Sequence, residues 1–172
     1  MILKAFKEKS NRKFVNQLLD APKQAIPNNK LKTVGVLLNA DEFDDFDVFR
    51  NYLKELNLTS PKHKIIAFTK DDKFESSQWE TYFSPKDFGW KGKLNNIDLE
   101  TFVKEDYDIL ISYYKKDVLE LNLVTAISKA NFKVGLSRAD ERMYDLFIDV
   151  NPTEIELFKT ELKKYLNILN KL

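Results

Sequence analysis

The sequence predicts an α/β protein with a mostly parallel sheet, because apolar strand-like segments alternate with amphipathic helical patterns along the chain. The first three such strands cover residues 33–39, 64–68 and 107–114, and their nearly continuous apolar runs are typical of strands buried on both faces. Two more follow at residues 132–137 and 144–150. We therefore expect a Rossmann-like three-layer sandwich of about five strands.

The composition indicates a folded, soluble chain. Its 172 residues are 43% hydrophobic and 13% aromatic, which suits one domain with a sizeable core. Lys and Arg number 28 against 27 Asp and Glu, so overall charge gives no bias toward nucleic acid or anionic membranes. The sequence has no cysteine, no apolar run of transmembrane length and no signal-peptide pattern. We expect a cytoplasmic protein without a metal or cofactor.

Residues 1–32 are predicted to form a basic N-terminal arm, followed by a single Rossmann-like domain at residues 33–172. The arm has a short helical pattern at residues 10–19, and it carries eight basic residues against two acidic ones. Such an arm could contact RNA, an anionic membrane surface or an acidic partner. The alternative is a solvated helix that docks Phe14, Leu18 and Leu19 on the domain. The arm residues that we select as partner-binding candidates are Lys4, Lys7, Arg12 and Lys13.

A cluster of acidic residues separates the first strand from the helix that follows it. Phe46, Phe49 and Leu53 recur there at helical spacing, behind the carboxylates of Asp41, Glu42, Asp44, Asp45 and Asp47. Carboxylates at this position accept hydrogen bonds from the free N–H groups of a helix start. A Mg²⁺ site is the alternative, but it needs a second carboxylate-bearing strand end that is not obvious. We therefore predict helix caps rather than a metal site.

Residues 70–96 form the longest segment without a periodic pattern, and aromatic side chains alternate with lysines in it. We expect the loop to cover the sheet with most of its rings buried, because long loops in small domains are usually functional or structured. The alternative is a recognition surface that stacks bases and contacts phosphates, which exposure of both tryptophans would indicate. The partner-binding candidates in this loop are Trp79, Lys86, Trp90, Lys91 and Lys93.

The lengths of the connections predict the sheet. With the strands counted along the chain, we expect the first four to be parallel in the order 2-1-3-4. Only six residues separate the segments at 132–137 and 144–150, whereas a parallel crossover needs about a dozen. The last strand is therefore predicted to run antiparallel at the edge.

The sequence contains no recognisable catalytic constellation. His63 is the only histidine, and neither a glycine-rich phosphate loop nor a nucleophile elbow is present. We therefore lean against an enzyme. Polar residues near the carboxyl ends of the strands could still line a small-molecule pocket; they are Asn39, Asp41, Ser112 and Ser137.

Several segments resemble an uncharacterised family, a domain of unknown function in short flavobacterial-type cytoplasmic proteins. They are residues 33–39, 88–93, 107–114, 129–135 and 162–166. This resemblance covers essentially the whole chain and implies no activity. Residues 107–135 are also similar to the amino-terminal domain of heptosyltransferase-like glycosyltransferases, which would imply half of a transferase scaffold without its nucleotide-sugar domain.

Two hypotheses about function follow from these observations. The first is a non-enzymatic module that binds a protein or ribonucleoprotein partner through the basic arm (residues 1–32) and the aromatic loop (residues 70–96). The second is a nucleotide- or nucleotide-sugar-binding protein, or a minimal transferase-like enzyme, that uses the carboxyl ends of the strands. We favour the first because a catalytic set and a phosphate loop are missing from the sequence.

Overall fold

A computed structural model describes residues 1–58, 63–72, 74–136 and 138–172. Within these residues the chain alternates between helices and strands, as its hydrophobic periodicity requires. The elements are α1 (Ile2–Asp20), β1 (Val34–Asn39), α2 (Phe46–Glu55), β2 (His63–Phe68), β3 (Thr81–Phe83), α3 (Ile97–Lys104), β4 (Ile109–Tyr113), α4 (Leu119–Ile127), β5 (Lys133–Gly135), β6 (Leu146–Phe147) and α5 (Ile155–Ile168).

The six strands pair in parallel in the order β3-β2-β1-β4-β5-β6. The inner run β2-β1-β4-β5 confirms the predicted order of the first four apolar strands. The short strand β3 and the helix α3 were not predicted. The sheet grows in opposite directions from β1 and β4, and folds of this order bind ligands at the crevice beyond the carboxyl ends of those two strands. That crevice is called the switch-point crevice below.

The last strand does not run antiparallel, because β6 pairs with β5 in parallel, with Gly135 opposite Phe147. The prediction was wrong because it took both strands to be as long as their apolar patterns. β5 ends at Gly135 and β6 begins at Leu146, so residues 136–145 are available for the return. Because the two strands pair over only two residues, the chain has to return by less than about 10 Å. A connection of ten residues covers that distance without a helix.

Both faces of the sheet are buried, which confirms the three-layer sandwich. Helices α2 and α5 cover one face, where Phe49 packs edge-on against Tyr113 of β4. Helices α1, α3 and α4 cover the other face, where Val15 shares a core with Leu37 of β1. Neighbouring residues of β1 point to opposite faces, so Val36 belongs to the first core and Leu37 to the second.

The segment that joins α1 to β1 is tied to the carboxyl-terminal end of the chain. The backbone N–H of Leu31 donates to the carbonyl of Lys171 at 2.8 Å, and the Lys171 amine donates to the carbonyl of Pro27 at 3.1 Å. Leu31 is buried, as are Asn11 and Val15 of α1. Residues 1–32 therefore contribute to the packing of the domain.

One carboxylate fixes the amino-terminal ends of β1 and β4 relative to each other. Asp108 accepts hydrogen bonds from the backbone N–H groups of Lys32 and Thr33, at 2.7 and 3.0 Å, and from the Asn29 amide at 3.2 Å. Partial burial alone would raise the pKa of Asp108. The hydrogen bonds outweigh it and hold that pKa below its usual value.

We expect the Asp108→Asn variant to lose stability in a pH-dependent way. Because the pKa of Asp108 is lower in the folded than in the unfolded state, its charge stabilises the fold above about pH 4, and this contribution is lost as the pH falls further. At pH 7 the free energy of unfolding should fall by on the order of 1 kcal/mol. Urea unfolding between pH 3 and pH 7 measures the difference, which should shrink toward pH 3.

Asp106→Asn is the matched control, because Asp106 is exposed and lies two residues earlier in the same connection. That variant should track the wild type at every pH. A difference between Asp108→Asn and wild type that stays constant from pH 7 to pH 3 would contradict the assignment.

Candidate functional site

Two loops border the switch-point crevice. Residues 40–45 connect β1 to α2, and residues 114–118 connect β4 to α4. In folds of this strand order a phosphate usually lies here, bound by the backbone N–H groups of a glycine-rich turn at a helix start. Neither loop contains glycine, which removes the usual means by which a phosphate approaches the backbone.

A carboxylate of the chain itself occupies this anion-binding position. Glu42 accepts hydrogen bonds from the backbone N–H of Lys115, at 3.2 and 3.1 Å to its two oxygens, and from that of Lys116 at 3.0 Å. The amide of Asn39, which is only 1% exposed, donates to the same carboxylate at 3.0 Å. The side-chain oxygen of Asn39 accepts a hydrogen bond from the N–H of Asp41 at 3.1 Å, which orients the Asn39 amide toward Glu42. The loops after β1 and β4 are thus joined through Glu42.

Two other acidic residues of this region, Asp45 and Asp47, stabilise α2. Asp45 is the N-cap and accepts from the N–H of Val48 at 3.1 Å, which confirms the cap prediction at this residue. Asp47 pairs with Arg50 one turn later at 2.7 Å. Within the described ranges, no group of three or more carboxylate, imidazole or thiol side chains is arranged to hold a metal ion.

The four small-molecule candidates lie in different environments. Asn39 and Asp41 lie together at the carboxyl end of β1, and Asp41 is exposed. Ser112 is fully buried within β4, and its hydroxyl hydrogen-bonds that of Thr125 in α4 at 2.9 Å, so it faces the core rather than the crevice. Ser137 lies outside the described residues. Glu42 was assigned from the sequence only to the acidic cluster. Its position in the turn immediately after Asn39 is the signal that could have distinguished Glu42 from the other carboxylates of the cluster.

A pocket of about 220 Å³ lies next to the crevice, between α1, the end of β4 and the loop before β6. The Tyr114 hydroxyl lies in its wall and hydrogen-bonds Thr125 and Asn122, both at 3.0 Å. Burial raises the pKa of Tyr114 well above its usual value and that of Tyr144 to about 12. Both hydroxyls are therefore protonated at neutral pH.

The aromatic loop forms a small β-hairpin after β3. Phe88 and Leu94 make an antiparallel bridge, and the N–H of Gly89 donates to the carbonyl of Lys93 at 2.7 Å. The turn at residues 90–93 has positive φ at both central residues, 52° at Lys91 and 71° at Gly92. Such turns match the twist of a hairpin and favour glycine at these positions. The hairpin of residues 88–94 therefore presents Trp90 at its tip.

Helix α1 holds this hairpin through its backbone. The Asn11 side chain is 3% exposed, and its amide donates to the carbonyl of Gly89 at 3.0 Å and accepts from the N–H of Gly92 at 2.9 Å. The Lys7 amine donates to the carbonyl of Phe88 at 3.2 Å. The ring of Phe14 lies where a β-carbon on Gly92 would be, so only glycine fits there. The two segments proposed separately from the sequence are in contact with each other.

Several partner-binding candidates thus come together on one surface, called the α1–hairpin surface below. Trp90 is 48% exposed at its centre. Trp79 is 73% exposed but lies apart, because its carbonyl is bound by Arg50 of α2, on the other face of the sheet. Arg12 of α1 lines the 220 Å³ pocket instead. The basic residues of this surface are Lys7, whose amine contacts the hairpin backbone, Lys91 and Lys93 of the hairpin, and Lys4 and Lys86, which lie one helical turn before Lys7 and two residues before the hairpin. Lys13 lies two residues after Asn11 and therefore on the opposite side of α1.

Comparison with known proteins identifies the family and no activity. The model of a family of unknown function, DUF6913, matches residues 7–169, and the chain belongs to that family. No curated protein and no solved structure matches the chain. The similarity of residues 107–135 to heptosyltransferase-like enzymes is not shown by these comparisons. In the part of the chain that the structure describes, no helix is long and apolar enough to cross a membrane.

We expect the Glu42→Ala variant to expose an anion site. The N–H groups of Lys115 and Lys116 lose their acceptor, so the free energy of unfolding should fall by about 1–3 kcal/mol. An added anion can replace the lost carboxylate. Inorganic phosphate should therefore raise the melting temperature of the variant more than that of the wild type, measured against chloride at equal ionic strength.

Asp41→Ala removes an exposed carboxylate one residue earlier in the loop, and it controls for the change in net charge. Phosphate should shift its melting temperature by the same amount as in the wild type. Equal phosphate shifts in all three proteins would show that the crevice has no anion site for Glu42 to occupy.

Proposed function

We propose that this member of the DUF6913 family is a non-enzymatic cytoplasmic module that binds a protein or ribonucleoprotein partner through the α1–hairpin surface. The observation that carries the proposal is the exposure of Trp90 on a hairpin fixed by Asn11. Burying a large apolar side chain contributes about 1.5–3 kcal/mol, which is forgone while the indole faces water. Tryptophan is also among the residues that most often dominate binding energy at interfaces.

The charge around Trp90 supports an anionic partner. Lys91 and Lys93 flank it in the hairpin and are exposed. An indole between lysines suits unpaired bases with their phosphates, and it equally suits an acidic protein surface. Contact with RNA through this surface is therefore part of the proposal.

The rigidity of the hairpin supports the same function. Its backbone is held by Asn11, Lys7 and the ring of Phe14 before any partner binds. A surface that is already ordered loses little conformational entropy on association, so more of the interaction energy appears as affinity. A lid that closes over a substrate would instead need backbone freedom at this position.

The contacts of Glu42 favour a module without nucleotide chemistry. A nucleotide phosphate in the switch-point crevice would have to displace this carboxylate from two backbone N–H groups and the Asn39 amide. It would also meet the exposed carboxylate of Asp41 in the same loop. Both effects oppose phosphate binding at the place where this topology normally provides it.

We expect Trp90→Ala to weaken partner capture at least tenfold while the domain stays folded, because about half of the Trp90 surface is exposed in the free protein. Tagged wild type and variant are incubated with lysate of the cells that naturally make the protein, with and without ribonuclease, and bound material is quantified by mass spectrometry. A single-stranded RNA oligonucleotide in fluorescence anisotropy tests direct contact.

Trp79→Ala is the matched control, since this indole is still more exposed and lies beside α2. It should leave capture unchanged, whereas Asn11→Ala, which frees the hairpin, should reduce it. Deleting residues 1–32 is the poorer experiment, because Val15 and Leu31 would be lost from the core. Capture that survives Trp90→Ala, or that fails equally in Trp79→Ala, would contradict the proposal.

The 220 Å³ pocket favours a second candidate function, a nucleotide- or nucleotide-sugar-binding protein or a minimal transferase-like enzyme. The pocket adjoins the carboxyl end of β4, and Arg12 and Lys116 bring cations to its walls. It is smaller than the roughly 300–1,000 Å³ typical of small-molecule sites, so it would hold only part of a nucleotide sugar.

Thermal-shift screening tests this second function. A ligand at 100 times its dissociation constant stabilises the fold by about 2.7 kcal/mol, which is readily seen as a higher melting temperature. Stabilisation by a nucleotide or nucleotide sugar that disappears in Asn122→Leu, at the wall of the pocket, would support the pocket. No stabilisation of the wild type by any of them would remove the support for this function.

A further inference from the structure

A groove of about 570 Å³ lies at the amino-terminal edge of the sheet, at the end opposite to the switch-point crevice. Its walls are the end of α1 with residues 21–25 and the connection from α4 to β5. Lys133, the first residue of β5, lines the groove with a partly buried side chain. Neither the proposed partner surface nor the switch-point crevice uses this groove.

The Lys133 amine is held in a defined position. It donates to the carbonyl of Thr125, in the last turn of α4, at 2.6 Å. Burial lowers the pKa of Lys133 to about 8. The carboxylate of Asp145 opposes this shift, and the amine of Lys23 adds to it. Near pH 8 about half of these amines are neutral, a far larger share than for an exposed lysine, whose pKa is about 10.4.

The mouth of the groove is suited to a negatively charged group. Arg142 is engaged by Asp140 at 2.6 Å and by Asp20 at 2.5 Å. The backbone N–H of Lys133 donates to Asp145 at 2.8 Å. Lys23 pairs with Asp145 at 3.7 Å, whereas Lys129 has no ion pair within the described residues. The four cationic side chains that line the groove still outnumber the two carboxylates there. The titratable groups that line the groove besides Lys133 are Lys23, Asp106, Lys129, Arg142 and Asp145.

We propose that this groove is a covalent binding site, in which a small carbonyl compound with an anionic group forms an imine with Lys133. Lys129 binds the anionic group, together with Lys23 once it leaves Asp145, and the Lys133 side chain lines the same groove. The nitrogen lone pair attacks the carbonyl carbon, a C–N bond forms, and the carbonyl π electrons pass to oxygen. A proton moves from nitrogen to that oxygen, and the carbinolamine then loses water as the C=N bond forms.

Pyridoxal 5′-phosphate, an aldehyde with a phosphate group, is the probe. The full chain is treated with limiting probe at pH 8, the imine is reduced with borohydride, and the modified lysine is identified by peptide mass spectrometry. We expect Lys133 to be labelled at least tenfold faster than any other lysine. Pyridoxal, which lacks the phosphate, should label Lys133 at least fivefold more slowly than the phosphate form does.

Lys133→Arg keeps a cation that can donate to Thr125 but cannot form an imine, so labelling at the groove should disappear. Lys129→Gln removes a cation from the groove and should slow the labelling of Lys133 by pyridoxal 5′-phosphate, while labelling by pyridoxal stays unchanged. The identification of the labelled lysines in the wild type needs no variant, so it tests the proposal even if a variant fails to fold. Labelling spread over the exposed lysines, or equal rates with pyridoxal and its phosphate, would overturn the proposal.

Discussion

The carboxylate of Glu42, bound by the backbone of Lys115 and Lys116, joins the two loops at the centre of the sheet. This contact determines what the fold has available for function. In a parallel sheet of this strand order, the connections after β1 and β4 lead away in opposite directions. The crevice between them therefore usually has free backbone N–H groups that can bind a ligand. Here the donors are satisfied internally, by a residue from the loop that would otherwise bind phosphate. The interaction orders both loops without a ligand, and a pocket of about 220 Å³ adjoins the carboxyl edge. We therefore expect recognition by this scaffold on its outer surfaces.

A second buried polar contact determines the shape of one such surface. Asn11 uses both ends of its amide on the backbone of Gly89 and Gly92, and burial makes each of these hydrogen bonds expensive to lose. The contact converts what would be a basic arm and a free loop into two sides of one rigid surface. Gly92 is essential to that arrangement for two separate reasons, since its φ is positive and the ring of Phe14 occupies the space of a side chain. Trp90 is then displayed rather than buried, because the residues beside it are committed to α1.

The features that the sequence predicted are those that depend on periodicity. Continuous apolar runs identified the strands of the sheet core, and the alternation with helical patterns predicted their parallel order. The direction of β6 could not be read in this way, because only two residues of its apolar segment pair in the sheet. Strand β3 is equally short, and its identity depends on pairing with β2 rather than on its own pattern. The contacts of Glu42 and Asn11 are single polar interactions between segments 73 or more residues apart, and no local pattern encodes such a pairing.

Helix α1 borders all three regions in which this chain could act. Its Asn11 holds the hairpin, its Arg12 and Asn16 line the small pocket, and its last turn forms a wall of the groove beside Lys133. A helix packed on a sheet moves as a rigid unit, because its backbone hydrogen bonds are internal and its side chains are closely packed against the sheet. A partner at Trp90 that displaced α1 would therefore displace the groove wall as well. The hairpin contacts the middle of α1, between Lys7 and Phe14, and the groove borders its last turn, so the two regions share one rigid element.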